Sequence, residues 1–293
     1  MAIFLQLLVQ GAVMGAIYGL IALGFSLQYA ALRLVNFAHG EGFMLGAVVG
    51  LSLSRTGLLP FLPAALVAIV GMALFGAAVE RFLIRPLYGS SSLNIFIATI
   101  GISIVLRQLA MLGFGADALP YPTGWPNPLL SLGLATISAQ QIGSLIAAML
   151  LMAALQLLLR RSRLGVAMRA VAQDEATAAL MGINCPRMKS LAYALSTGLG
   201  AAAGVLFGAL TFVVFDMGLL MGIKGFTAAV LGGLGSMPGA ILGGFVVGLI
   251  EQFSGFYLSS LYRDAISLSV LVVVMVLLPR GLVGRRGAVW GKV

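Results

Sequence analysis

Apolar runs long enough to cross a lipid bilayer decide what this chain can fold into. They occupy residues 4–32, 60–79, 93–114, 141–159, 191–215 and 226–250, with shorter ones at 42–54 and 265–278. About 20 residues, rising 1.5 Å each, span the ~30 Å hydrocarbon core. Lipid cannot satisfy backbone polar groups, so each run must close its own hydrogen bonds as a helix. A chain that is 61% hydrophobic and 9% charged also lacks the polar surface a soluble domain of 293 residues needs. The reading is an all-α, polytopic membrane protein, a single domain over 1–293, with about eight to ten transmembrane helices, some broken or re-entrant.

Cations orient the spans. They gather in three connecting stretches: Arg81 and Arg85 at 80–88; Arg160, Arg161, Arg163, Arg169, Arg187 and Lys189 at 160–189; and Arg280, Arg285, Arg286 and Lys292 in the tail. The excess of Lys and Arg in cytoplasmic loops places all three inside the cell, the C-terminus included. The stretch 117–140 has no cation, is rich in proline and glycine, and is expected outside, with Tyr121 and Trp125 at the interface. The net charge of +9 therefore orients the chain on lipid and gives no reason to expect nucleic acid. The apolar N-terminus lacks the basic region and small-residue cleavage site of a leader, and reads as a membrane helix.

Several chemistries have no residues to carry them. The lone Cys185 offers no internal disulfide, and one histidine without an acid or cysteine cluster offers no metal site. Without a Gly-x-x-x-x-Gly-Lys-Ser/Thr loop, any nucleotide chemistry has to come from another chain.

Parity reveals an interruption. Between the cytoplasmic loop ending at Lys189 and the cytoplasmic tail there must be an even number of crossings, yet three apolar runs lie there. The middle one, 226–250, contains LGGLGSMPGAILGG, 231–244, where Gly232, Gly233, Gly235, Pro238 and Gly239 can end one helix and begin another. The segment is expected to enter and return, or to split in two; a single kinked helix with small-residue packing is the alternative.

NFAHGE, 36–41, interrupts the other half of the chain with an amide, the only histidine and a carboxylate. Interruptions in both halves of a transporter point to a translocation path. Asn36, His39 and Glu41 can satisfy a helix break in which Gly40 supplies backbone freedom, can line a path or gate, or can relay protons through His39. Arg33 is a nearby partner for Glu41.

The cytoplasmic loop RLGVAMRAVAQDEATAALMGINCPRMK, 163–189, holds a short amphipathic helix. Asp174 suits its N-cap, and Glu175 its first turn. Ala176, Ala179, Leu180 and Ile183 share a face, Gly182 closes the helix, Pro186 stops it, and Arg169 and Arg187 flank it. About two turns are too short to stand alone. The apolar face needs a membrane surface or a groove on a cytoplasmic partner, and pattern alone leaves both open.

Four stretches together carry a resemblance. VNFAHGE (35–41) followed by Met44 and Gly46, LGVAMRAVAQDEATAALMGIN (164–184), KGFTAAVLGGLGSMPGAILGG (224–244) and MVLLPRGLVGRR (275–286) make the chain resemble the permease subunits of branched-chain amino acid ABC importers, of the LivH type. The resemblance implies a bacterial inner-membrane complex. It would contain a second related permease, two cytoplasmic ATPases holding ATP and Mg, and an extracytoplasmic protein delivering leucine, isoleucine or valine, with no cofactor on this chain. It implies that 174–184 is the coupling helix. Ala176, Ala179, Leu180 and Ile183 would then enter an ATPase groove, and Arg169, Asp174, Glu175 and Arg187 would orient it. Related permeases of this class have broken helices lining the path, in keeping with both interruptions. The alternatives are a permease of the same class for urea, amides or aromatic acids, an ion-coupled secondary transporter, or a passive channel.

Overall fold

The computed structural model describes residues 2–57, 59–124, 127–132, 135–259, 262–278 and 281–283. Eleven α-helices lie among them: α1 (Ala2–Leu32), α2 (His39–Arg55), α3 (Phe61–Val79), α4 (Ser92–Phe114), α5 (Ala139–Arg161), α6 (Arg163–Gln173), α7 (Glu175–Leu180), α8 (Cys185–Leu210), α9 (Met217–Gly232), α10 (Met237–Tyr257) and α11 (Arg263–Leu277). Six of these, α1, α3, α4, α5, α8 and α10, are long and apolar enough to cross a membrane. With the shorter α2, α9 and α11 they make a nine-helix bundle, as the apolar runs require. The molecule is all-α apart from two small ribbons. β1 (Leu119–Pro120) pairs antiparallel with β4 (Phe212–Val213), and β2 (Leu129–Leu132) with β3 (Ala135–Ser138). These ribbons mark one end of the bundle, within and beside the stretch that lacks cations. Trp125 and the tail cations Arg280, Arg285, Arg286 and Lys292 lie outside the described residues.

Small residues set the helix order. α1 and α10 run antiparallel with Gly11 on Leu249, Gly15 on Phe245 and Gly19 on Ile241. α2 and α8 run parallel, with Gly42 on Thr197, Gly46 on Ala201 and Gly50 on Val205. Lipid gives apolar side chains no reason to hide from it, so association rests on such close van der Waals packing. The large aliphatic residues of α3 and α4, among them Leu66, Val70, Leu74, Ile97, Val105 and Leu112, stay on the outer surface.

The opposite, basic end is held by polar clamps. Beyond α3 a π-turn, Glu80–Ile84, buries Glu80. Its carboxylate takes an ion pair from Arg85 at 3.0 Å and hydrogen bonds from the Tyr88 hydroxyl at 2.8 Å and from Ser190 in the first turns of α8.

The segment 226–250 is split. α9 ends at Gly232 and α10 begins at Met237; the turn between them carries Gly233 and Gly235 at positive φ, 100° and 84°. Ser236 then accepts from the Gly239 N–H, and Pro238 sits in the first turn of α10, where a missing N–H costs nothing. Four helices, α8 to α11, therefore separate the loop from the tail, and parity is satisfied. Two tail amides close the turn: Leu282 N–H donates to the Leu231 carbonyl at 2.7 Å, and Val283 N–H to the Gly232 carbonyl at 3.2 Å.

Candidate functional site

NFAHGE forms the middle of the bundle. α1 stops at Arg33, whose left-handed backbone (φ 56°) turns the chain, and whose guanidinium donates to the Ala172 carbonyl of α6 at 2.9 Å. Arg33 thus anchors α1 to the basic end and does not pair with Glu41. The chain then climbs back along α1. Asn36 Nδ2 donates to Gln28 Oε1 at 3.1 Å, while its Oδ1 accepts from the Ala38 N–H at 3.0 Å. His39 ends level with Ile21, eleven residues from Leu32, which is about 16 Å inside the end of α1. α2 therefore starts at half depth.

His39 is enclosed. Nε2 faces the Ile21 carbonyl at 3.3 Å and Nδ1 faces Ser196 Oγ at 3.3 Å, with Phe25 edge-on to the ring. Ser196 Oγ also donates to the Gly24 carbonyl at 2.9 Å, so the ring meets only a serine hydroxyl and a backbone carbonyl. Neither neighbour is titratable, which gives a proton nowhere to go.

Glu41 differs. It is 0% exposed, and Oε1 accepts from Ser103 Oγ of α4 at 2.8 Å. Oε2 has no hydrogen-bond partner among the described residues. It lies against Gly218, in the first turn of α9. Gly40 sits on Gly218 and Gly222, and a side chain at Gly40 would overlap the Gly218 carbonyl. Arg107 lies one turn beyond Ser103 on α4, and Asp216 just before α9.

Two half-length helices thus begin side by side inside the bundle. α2 runs from there toward the ribbons and α9 toward the basic end. The partner of NFAHGE is the interruption at 211–216, hidden in sequence inside the apolar run 191–215; Asp216 was the one signal of it. The 232–239 turn is not part of this site. Gly235 lies by Tyr29, one turn from the end of α1, and Gly232 and Gly239 press backbone on backbone where α9 meets α10.

A second polar feature escaped the sequence reading. Lys224 of α9 is buried, 2.9 Å from Glu251 of α10 and 2.7 Å from Asp264 of α11. One cation and one acid flanking the apolar run 226–250 was the available sign.

The loop helix is preformed. The Asp174 carboxylate accepts from the amides of Ala176 and Thr177 and, at 2.6 Å, from the Thr177 hydroxyl; these bonds hold it below the usual aspartate range. Lys189 of α8 pairs with Glu175 at 2.7 Å. Gly182 ends the turn at φ 79°. Pro186 opens α8. Val171, Ala178 and Cys185 form a small core, with Ile183 packed against it. Ile183 thus holds the helix from beneath, while Ala176 and Ala179 are exposed and Leu180 projects at 88% exposure, with Met181 beside it at 79%. Arg169 and Arg187 are exposed on either side.

Residues 7–278 match the family described as branched-chain amino acid transport system, permease component. The chain is 36% identical to the high-affinity branched-chain amino acid transport system permease protein LivH of Escherichia coli K12, covering 96% of each chain. It is 37% identical, with the same coverage, to BraD of Pseudomonas aeruginosa, which carries the same description. Among solved structures, PsaBC from Streptococcus pneumoniae in complex with Fab shares the fold, with a TM-score of 0.50 at 16% identity over 94% of this chain and 91% of that one.

Proposed function

We infer function from one premise: this chain belongs to the family of permease components of branched-chain amino acid transport systems. It serves as the membrane subunit of an ABC importer that carries leucine, isoleucine and valine into the cytoplasm of a bacterium. A second related permease completes the path, two cytoplasmic ATPases bind ATP and Mg and hydrolyse the nucleotide, and an extracytoplasmic protein delivers the solute. The basic end, with α6, α7 and the C-terminus, faces the cytoplasm in the inner membrane, in keeping with the cation distribution.

The observation that carries this reading is the apolar tip of α7. Leu180 and Met181 stand exposed on a helix locked by the Asp174 cap, the Glu175–Lys189 pair and its own small core. A rigid stem with an uncovered apolar tip suits the groove of a partner better than a headgroup layer, which would want the whole face amphipathic. α7 packs on α6 and α8, so movement of the tip reaches the bundle through both. ATP and the loaded binding protein act by preferring different states of the same equilibrium.

The test uses the complete importer in proteoliposomes. Leu180→Asp should abolish ATP-driven leucine uptake while leaving the chain in the membrane; uptake at the wild-type rate would overturn the docking role.

A further inference from the structure

Resting on that function, the structure assigns a site for the amino-acid zwitterion at the junction of α2, α4 and α9. Arg107 meets the carboxylate, Glu41 and Asp216 meet the ammonium, and Met44 and Met221 meet the branched side chain.

Two carboxylates at this junction are left unpaired among the described residues. A carboxylate oxygen buried without a hydrogen bond is costly, and in a membrane bundle an ionisable residue marks a functional position. Glu41 Oε2 is such an atom, although Ser103 fixes its companion oxygen and thereby aims it at the α9 side. Asp216 is also unpaired, though exposed. It stands at the N-cap of α9, where an aspartate normally accepts from the helix amides, yet it makes no such bond and stays exposed. Arg107 shares the face of Ser103 at i+4, so it looks to the same junction. Neither Arg107 nor Asp216 enters a salt bridge among the described residues.

Three helices therefore bring two carboxylates and one guanidinium, uncommitted to each other, to half depth. A free amino acid has the matching charges. A guanidinium takes a carboxylate in bidentate fashion, and an ammonium can divide its donors between two acids. Met44 packs against Gly218, and Met221 follows one turn along α9. Unbranched, polarizable methionines adapt to Leu, Ile and Val alike. The close Gly40–Gly218 contact lies beside Glu41, so a shift of α9 along α2 opens or covers Oε2.

The experiment uses the complete importer reconstituted in proteoliposomes and, separately, in nanodiscs without binding protein or ATP. Absence of ATP-driven leucine uptake by the wild type would sink the proposed function itself. With that uptake in place, Glu41→Gln, Arg107→Gln and Asp216→Asn are each expected to lower it about tenfold or more, the loss of one charged hydrogen bond. Binding-protein-stimulated ATP hydrolysis and the melting temperature of the complex should stay at wild-type values. In nanodiscs the wild type should bind radiolabelled leucine saturably. Unlabelled isoleucine should compete, and 4-methylpentanoate, which lacks the ammonium, should not. Variants that transport and bind as the wild type does would overturn the site. So would a Glu41→Gln variant in which hydrolysis and melting temperature fall together with uptake, because the carboxylate would then be structural.

Discussion

Lys224 and Glu251 meet at 2.9 Å inside the bundle, one on each arm of the α9–α10 hairpin, and Asp264 of α11 reaches the same ammonium. Lys224 and Glu251 are buried and tolerable in a low-dielectric interior only as a pair, while Asp264 is half-exposed. Removing one partner leaves an uncompensated buried charge, at about 3–5 kcal/mol. Lys224→Met, which takes the ammonium from the buried Glu251, should therefore cost most of the melting stability of the purified complex, and Glu251→Leu should cost less, because Asp264 stays on the ammonium. The double variant should recover part of it, because the interior then holds no unpaired ion. Thermal unfolding of the two singles and the double, analysed as a cycle, measures the coupling. Additive losses would remove the pair from the account of how the three C-terminal helices are held together.

Gly40 tests the junction of the two half-helices. A methyl group there overlaps the Gly218 carbonyl and crowds the Gly222 backbone, and neither is a flexible side-chain end. Gly40→Ala should force α9 away from α2 at about 1–3 kcal/mol, the usual cost of overpacking, seen as a lower yield and melting temperature. Gly71→Ala is the control, since no atom lies within 4 Å of a Cβ built there. It should behave as the wild type.

Much of the architecture was legible because membrane helices announce themselves. Length, hydropathy and the cation count gave the spans, and the parity rule located the α9–α10 turn, since Gly233, Gly235 and Pro238 are backbone instructions. The cap at Asp174 and the closing Gly182 were local too. What stayed hidden depended on depth and on neighbours far along the chain. NFAHGE was visible as an anomaly, yet its counterpart at 211–216 was masked, because Phe212–Phe215 is as apolar as the helix before it. The Arg33 guanidinium was expected beside Glu41 by proximity in sequence. Instead it bonds across 139 residues to Ala172, while Ser103, 62 residues away, serves Glu41. Ile183 falls on the exposed face by helical periodicity, but α7 ends at Leu180, so Ile183 lies beyond the helix and turns inward.

His39 gives a prediction about energy source. Both ring nitrogens are engaged by non-titratable groups, and the ring packs on Phe25. His39→Gln retains one donor and one acceptor, and should lower stability by about 1–3 kcal/mol through imperfect bonds. The pH profile of leucine uptake should not move, and a protonophore should leave uptake by wild type and variant intact while ATP is present. Collapse of wild-type uptake with the proton gradient would return His39 to a relay role.

The cap of α7 titrates in a direction fixed by its bonds. The Thr177 hydroxyl and the Thr177 and Ala176 amides all donate to the ionised Asp174, so the carboxyl is held lower in the folded loop than in an unfolded chain. A depressed carboxyl pKa contributes stability that is present above the unfolded value, about 3.9, and is lost as pH falls through the lower folded value. At neutral pH the helix is therefore fully capped, and acid should release α7 while the bundle persists. Hydrogen exchange at the Ala176 and Thr177 amides, read by mass spectrometry on the reconstituted complex, should show protection falling away below pH ~4 relative to α8, after correction for the intrinsic rate. Asp174→Ala should show the same loss at neutral pH. On the docking role proposed for Leu180, it should also weaken coupling of hydrolysis to uptake. Equal protection in the wild type and Asp174→Ala at neutral pH would mean that the core of Val171, Ala178 and Cys185 holds the helix without its cap.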